Sequence, residues 1–316
     1  MESFICLEEI DEIYNLDVVA HTKRIQTPAK VEKQLLNDKR VLSNMLKSEK
    51  QNSINDYCNK IQTEIAPHMR KIVTDWMLEV CEDQQCQPEV FFLAVNYLDR
   101  FLSLVNIKKN QFQLLASVCI LLASKFSQVI PITTDQLILY ADHSITKEEM
   151  KQWELFILEI LGWELSVPTV HSFLSHFVNR SSNDNSNNGL SLEVERQAES
   201  LLSLAATEYK FITTRQSMLA AAALSTAVQI SQTSDQEKVF QELSDLTEFP
   251  AEEVKFYAEQ MSSLLPAHNG LSSLSPKTVY KQECYSESST TCTIEQIEPS
   301  IMTPTETFRV YEVMAA

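Results

Sequence analysis

Two long stretches of this sequence can fold only as helices covered on every side. Residues 115–128 read LASVCILLASKFSQ and residues 219–232 read LAAAALSTAVQISQ, aligned at a constant offset of 104 residues. Neither has a polar face, so each belongs at the centre of a bundle and not on its surface. The apolar run of the first, residues 114–123, falls short of the roughly 20 residues that span a bilayer. Two copies of one helical unit, each wrapped around its own central helix, satisfy both observations.

The flanking patterns supply the wrapping. Met69, Ile72, Val73, Trp76, Met77 and Val80 fall on the i, i+3, i+4, i+7 stripe of an amphipathic helix that starts at Pro67. A second helix opens at Pro88 and carries Phe91, Ala94, Val95, Leu98, Phe101 and Leu102. Thr133 with Gln136, and Thr146 with Glu149, form capping boxes that begin two more. The last of these stops at Gly162, suited to the left-handed residue that closes a helix. With the central helix, these make five. After a stiff connection at residues 164–168 the pattern restarts with Val170, Phe173, Leu174, Phe177 and Val178. A polar loop at residues 181–189 follows, then stripes through Val194, Ala198, Leu201, Leu202 and Ala205. Beyond the second central helix, Val239, Phe240, Leu243 and Leu246, then Val254, Tyr257, Met261, Leu264 and Leu265, complete a second unit. Past Pro266 the chain turns to Ser, Thr, Glu, Gln and Pro without period, and a disordered tail is expected. The expected architecture is all-α: an N-terminal arm (1–37), two tandem five-helix units (38–166 and 167–266) and a tail (267–316).

Composition removes whole classes of function. Only 3 glycines occur in 316 residues, too few and too far apart for a Gly-rich phosphate-binding loop. A net charge of −17 opposes attraction to nucleic acid or anionic membranes, so neither is expected as a partner. The 7 cysteines have irregular spacing with no C-x-x-C pair, and the 6 histidines form no ligand set. Reduced thiols of an intracellular protein are expected, with no metal and no cofactor. No nucleophile sits in a recognisable turn, so the chain reads as a protein-binding protein and not an enzyme.

The segments MRKIVTDWMLEVCEDQ (69–84), FLAVNYLDRFLS (92–103) and LLASKFSQ (121–128) resemble the cyclin box, in wording similar to animal D-type cyclins. The resemblance runs from about Asp38 to Leu265 and implies tandem cyclin folds. It also implies a regulatory subunit that activates a cyclin-dependent kinase, acting in G1/S progression on retinoblastoma-family proteins, in the nucleus and cytoplasm. A tandem cyclin-fold adaptor, or a transcription-associated scaffold that activates no kinase, is the alternative.

On this resemblance Lys125 and Glu154 match the family's kinase-contacting Lys and Glu. From pattern alone, each is a charge snorkelling beside an apolar stripe or closing an internal ion pair. The repeat has Gln229 where the first unit has Lys125, so only the first unit is expected to grip a kinase. Met69, Ile72, Val73 and Trp76, with Glu79, Phe112 and Gln113 at the rim, match a patch that docks Arg-x-Leu substrates and inhibitors. Ordinary core is the other reading of that stripe. Phe4, Cys6 and Glu8 resemble the Leu-x-Cys-x-Glu motif that docks pocket proteins, with Phe4 in place of Leu. Thr303, before Pro304, resembles a phosphothreonine degradation signal, and Ser275 before Pro276 is a weaker one.

Overall fold

The computed structural model describes residues 33–52, 54–181, 192–231 and 236–265. Among them are twelve α-helices: α1 (Lys33–Asn37), α2 (Lys39–Gln51), α3 (Pro67–Asp83), α4 (Pro88–Leu102), α5 (Phe112–Ser127), α6 (Thr134–Tyr140), α7 (Lys147–Ile160), α8 (Val170–Ser181), α9 (Leu192–Thr207), α10 (Gln216–Ile230), α11 (Gln236–Thr247) and α12 (Ala251–Ser262). No strand occurs among the described residues. Helix α5 packs against α3, α4, α6 and α7, and α10 packs against α8, α9, α11 and α12. The two all-apolar stretches are therefore the axes of two five-helix units. Every residue from Leu114 to Ser124 in α5, and from Ser217 to Val228 in α10, is buried. The serines in these runs are satisfied locally where they can be: Ser117 Oγ donates to the Gln113 carbonyl at 2.8 Å.

Local chemistry sets the ends. Pro67 and Pro88 stand in the first turns of α3 and α4, where a missing N–H costs nothing. Both expected capping boxes form. Thr133 Oγ1 caps α6 and Thr146 Oγ1 caps α7, each with reciprocal bonds from its N3 partner. Helix α7 ends at Gly162, whose φ is +62°. Helix α3 ends in the same kind of turn without a glycine: Gln85 takes φ +52°, Gln85 N donates to the Glu82 carbonyl and Cys86 N to the Cys81 carbonyl at 2.9 Å.

Helices α1 and α2 precede the first stripe picked out in the sequence, and α1 lies within the stretch expected as an arm. Tertiary contacts hold them. Leu36 O accepts from Arg180 Nε and lies 3.1 Å from His176 Nδ1, and Asn179 donates to Asn37 Oδ1 at 2.8 Å, which seats α1 on α8. Glu49 of α2 accepts from Ser217 N and Ser217 Oγ, both at 2.7 Å. The residue before α10, Arg215, makes no side-chain cap. A carboxylate from α2 therefore supplies the acceptor that the first turn of α10 needs.

The units meet through similar polar contacts. Glu89 of α4 accepts from Thr169 Oγ1 at 2.8 Å and Ser172 Oγ at 3.2 Å, at the start of α8. Arg70, 1% exposed, reaches Asp99 through Nε and Nη2 at 2.8 and 2.7 Å, and its Nη1 donates to the Thr207 carbonyl at 3.0 Å, the end of α9. Tyr57 donates to the same Asp99 at 2.7 Å. Acids thus meet helix N-termini and a base meets a C-terminus, the sense that helix dipoles favour.

Candidate partner-binding surface

The last turn of α5 brings Lys125 to the surface, and the second turn of α7 brings Glu154 beside it. Lys125 Nζ donates to Glu154 Oε1 and Oε2 at 2.9 and 3.0 Å, with 42% of the lysine side chain and 16% of the glutamate exposed. The two residues singled out from sequence are therefore in contact, and each satisfies the other in the free chain. Such a surface pair contributes roughly 0–1 kcal/mol to folding, so stability alone does not account for its placement.

What surrounds the pair is unusual for a free surface. Phe126 is 50% exposed and Val129 86%, and Ile130 and Leu155 are also among the large apolar side chains left in solvent. All four flank Lys125 or Glu154 in sequence. Scattered exposed apolar residues are ordinary, but several clustered in sequence about one charged pair have the composition of an interface centre. Periodicity missed these four because it assigns apolar residues to the core. The available signal was that apolar character continues past the end of α5, through Val129 and Ile130, where no helix remains to bury it. In the second unit, Gln229 and Ala258 stand at the same offset from Lys125 and Glu154. Ala258 is buried, so no equivalent pair forms there.

Helix α3 presents a second surface. Met77 and Val80 are fully buried, whereas Met69, Val73 and Trp76 are half-buried against the core, Ile72 is 65% exposed and Glu79 is exposed. One helix thus serves both core and surface. Gln113, at the start of α5, is half-buried. Phe112, expected at the rim of this surface, is only 3% exposed and belongs to the buried core. Phe4, Cys6, Glu8, Ser275 and Thr303 lie outside the described residues. Among the described residues no group of three or more His, Cys, Asp or Glu is placed to hold a metal ion.

Comparison with known proteins agrees with this architecture. The model of the cyclin N-terminal domain matches residues 40–166, and that of the cyclin C-terminal domain matches residues 168–293. Human G1/S-specific cyclin-D1 is 45% identical over 196 residues, covering 62% of this chain and 65% of that protein. Human G1/S-specific cyclin-D3 is 42% identical over 196 residues, covering 62% and 66%. The chain thus spans about two thirds of the length of these relatives, 65% for cyclin-D1. Among solved structures, a viral cyclin from herpesvirus saimiri superposes with a TM-score of 0.60 at 25% identity, over 71% of this chain and 97% of its own. Both units, their central helices and the cyclin-box segments agree with one assignment: the chain belongs to the cyclin family and is similar to its D-type members.

Proposed function

We propose that this cyclin is the activating subunit of a cyclin-dependent serine/threonine kinase, gripping the kinase through the surface centred on Lys125 and Glu154. The observation that carries this reading is an ion pair on the first unit whose sequence neighbours Phe126, Val129, Ile130 and Leu155 are exposed apolar side chains, with no equivalent pair on the second. The chain needs no chemistry of its own. A kinase requires its catalytic lysine to pair with a glutamate on a movable helix, and a rigid partner that binds only the helix-in state shifts that equilibrium. Moving a 1:99 population to 99:1 takes about 5.5 kcal/mol of differential binding. An interface of ordinary size with a few apolar anchors supplies that much.

The names of the D-type relatives support a role at the G1/S boundary, and retinoblastoma-family proteins are the substrates proposed for it. In this reading the surface of Met69, Ile72, Val73, Trp76 and Glu79 docks Arg-x-Leu segments, Phe4, Cys6 and Glu8 engage a pocket protein, and the complex works in nucleus and cytoplasm. The test is co-expression with candidate cyclin-dependent kinases and an activity assay on a pocket-protein fragment. Lys125→Ala with Glu154→Ala is expected to keep the helical circular dichroism and melting temperature of the parent and to lose kinase activation. A fully active, co-purifying double variant would overturn the reading.

A further inference from the structure

The turn that ends α3 places two thiols together. In a turn of this type the third-last helical residue and the third residue beyond the helix face each other, and here they are Cys81 and Cys86. The backbone is pinned by Cys86 N donating to the Cys81 carbonyl at 2.9 Å, which holds the two residues on one side of the turn. Both are reduced, and both line a cavity of about 310 Å³ between this turn and helix α9, with Phe91, Arg196 and Ser200 on its other walls. Cys81 is buried and Cys86 is half-buried, so an oxidant arriving through the cavity meets Cys86 first.

We propose that Cys81 and Cys86 are a paired dithiol that a hydroperoxide closes into an intramolecular disulfide. Burial and the approach set the order of steps. The Cys81 thiol is raised well above the ordinary range, first by Cys86 beside it, then by burial and by the charge of Glu82. Cys81 keeps its proton, so the attack falls to Cys86, the less buried of the two thiols that line the cavity. Cys86 attacks the peroxide oxygen, the O–O bond breaks, and Cys86 becomes a sulfenic acid while one hydroxide leaves and takes up a proton as water. Cys81 sulfur then displaces the sulfenic oxygen, which departs as a second water carrying the Cys81 proton. Two thiols are oxidised, one peroxide is reduced, and the backbone already holds the two residues side by side. The inference does not rest on the kinase reading.

The spacing alone does not announce the pair, because four residues separate the cysteines and only the left-handed Gln85 folds them together. Cys119 sits within α5 and Cys58 near Tyr209 and Asp56, neither against a second thiol, so both serve as internal controls. The experiment treats the full native chain with hydrogen peroxide, quenches, denatures, labels thiols with N-ethylmaleimide and maps tryptic peptides. Residues 72–100 contain no internal Lys or Arg, so one peptide carries both cysteines. It is expected to take no label, to be lighter by two hydrogens, and to take two labels after reduction. Its conversion is expected to be at least about tenfold faster than oxidation of Cys58 or Cys119. Cys86→Ser is expected to leave Cys81 fully labelled, and Cys81→Ser to leave a Cys86 sulfenic acid that dimedone captures. Both thiols still labelled, a disulfide joining two chains through Cys86, or Cys81 oxidised in the Cys86→Ser variant would each overturn the proposal.

Discussion

Arg70 keeps its charge in a place almost without water because every donor that matters has an acceptor: two on Asp99 and one on the Thr207 carbonyl. Removing one partner of such a buried pair typically costs 3–5 kcal/mol, whereas replacing both with apolar residues is often neutral. Arg70→Ala is therefore expected to lower unfolding stability by about 3–5 kcal/mol in urea titrations, and Arg70→Met with Asp99→Leu and Tyr57→Phe, which also removes the hydroxyl that Asp99 accepts from, to recover most of it. Glu199 shows the opposite condition. Burial first, and then the negative charge of Glu195, push its pKa up to about 7, against the opposing pull of Arg196. His171 lies 3.6 Å away on α8, but burial lowers its pKa, so both groups tend to their neutral forms and the contact is not an ion pair. Since the folded value of Glu199 lies above its ordinary 4.5, its contribution is fully present below pH 4.5 and is lost as pH rises through about 7. Glu199→Gln is accordingly expected to stabilise the protein by about 1–2 kcal/mol at pH 8 and to change little at pH 5, read from melting curves at both values. Neither Arg70 nor Glu199 stood out from the sequence. Nothing in a stripe of apolar positions tells which charge on the same helix will be enclosed.

Helices were the most legible level. The stripes of α3, α4, α7 and α8, the two capping boxes and the Gly162 stop all depend on residues within a few positions of each other, so sequence spacing contains them. The same locality makes their energetics predictable. Thr146→Ala removes one reciprocal cap of α7 and is expected to cost about 1 kcal/mol, with Thr146→Asp close to neutral, measured by chemical denaturation. Gly162→Ala meets no atom within 4 Å of the added methyl, so its cost of about 1 kcal/mol comes from the left-handed backbone alone. The turn after α3 was harder to see. Gln85, with φ +52°, takes the part that a glycine plays after α7, and no residue type announces it. Helix α1 was missed for a related reason: a helix of five residues is not stable by itself and exists because α8 receives it. Helix α2, with 13 residues, a cap at Asp38 and Leu42, Met45, Leu46 and Glu49 on one stripe, was legible in the sequence.

Over the whole molecule, the two units are joined where polar groups from one side complete helix ends on the other. Glu49→Ala leaves Ser217 N–H and its hydroxyl without their acceptor, at an expected cost of about 1–3 kcal/mol. Amide exchange of the first turn of α10 is expected to accelerate in that variant while the amides of α5 are unchanged, which would separate local release from global loss. The amino-acid sequence by itself determined the helical class, the duplication about two buried helices, and the family, because periodicity and cyclin-box wording are properties of contiguous residues. It also named Lys125 and Glu154, through the family likeness and not through spacing. Only the tertiary structure decided that these two pair while apolar neighbours in sequence stay exposed, that Phe112 is buried, and that Glu49, Glu89 and Arg70 complete helix ends far away in sequence. The physical reason is common to all of these: how enclosed a side chain becomes, and which distant partner it finds, depends on how packed elements dock, and docking leaves no mark in the spacing along one helix.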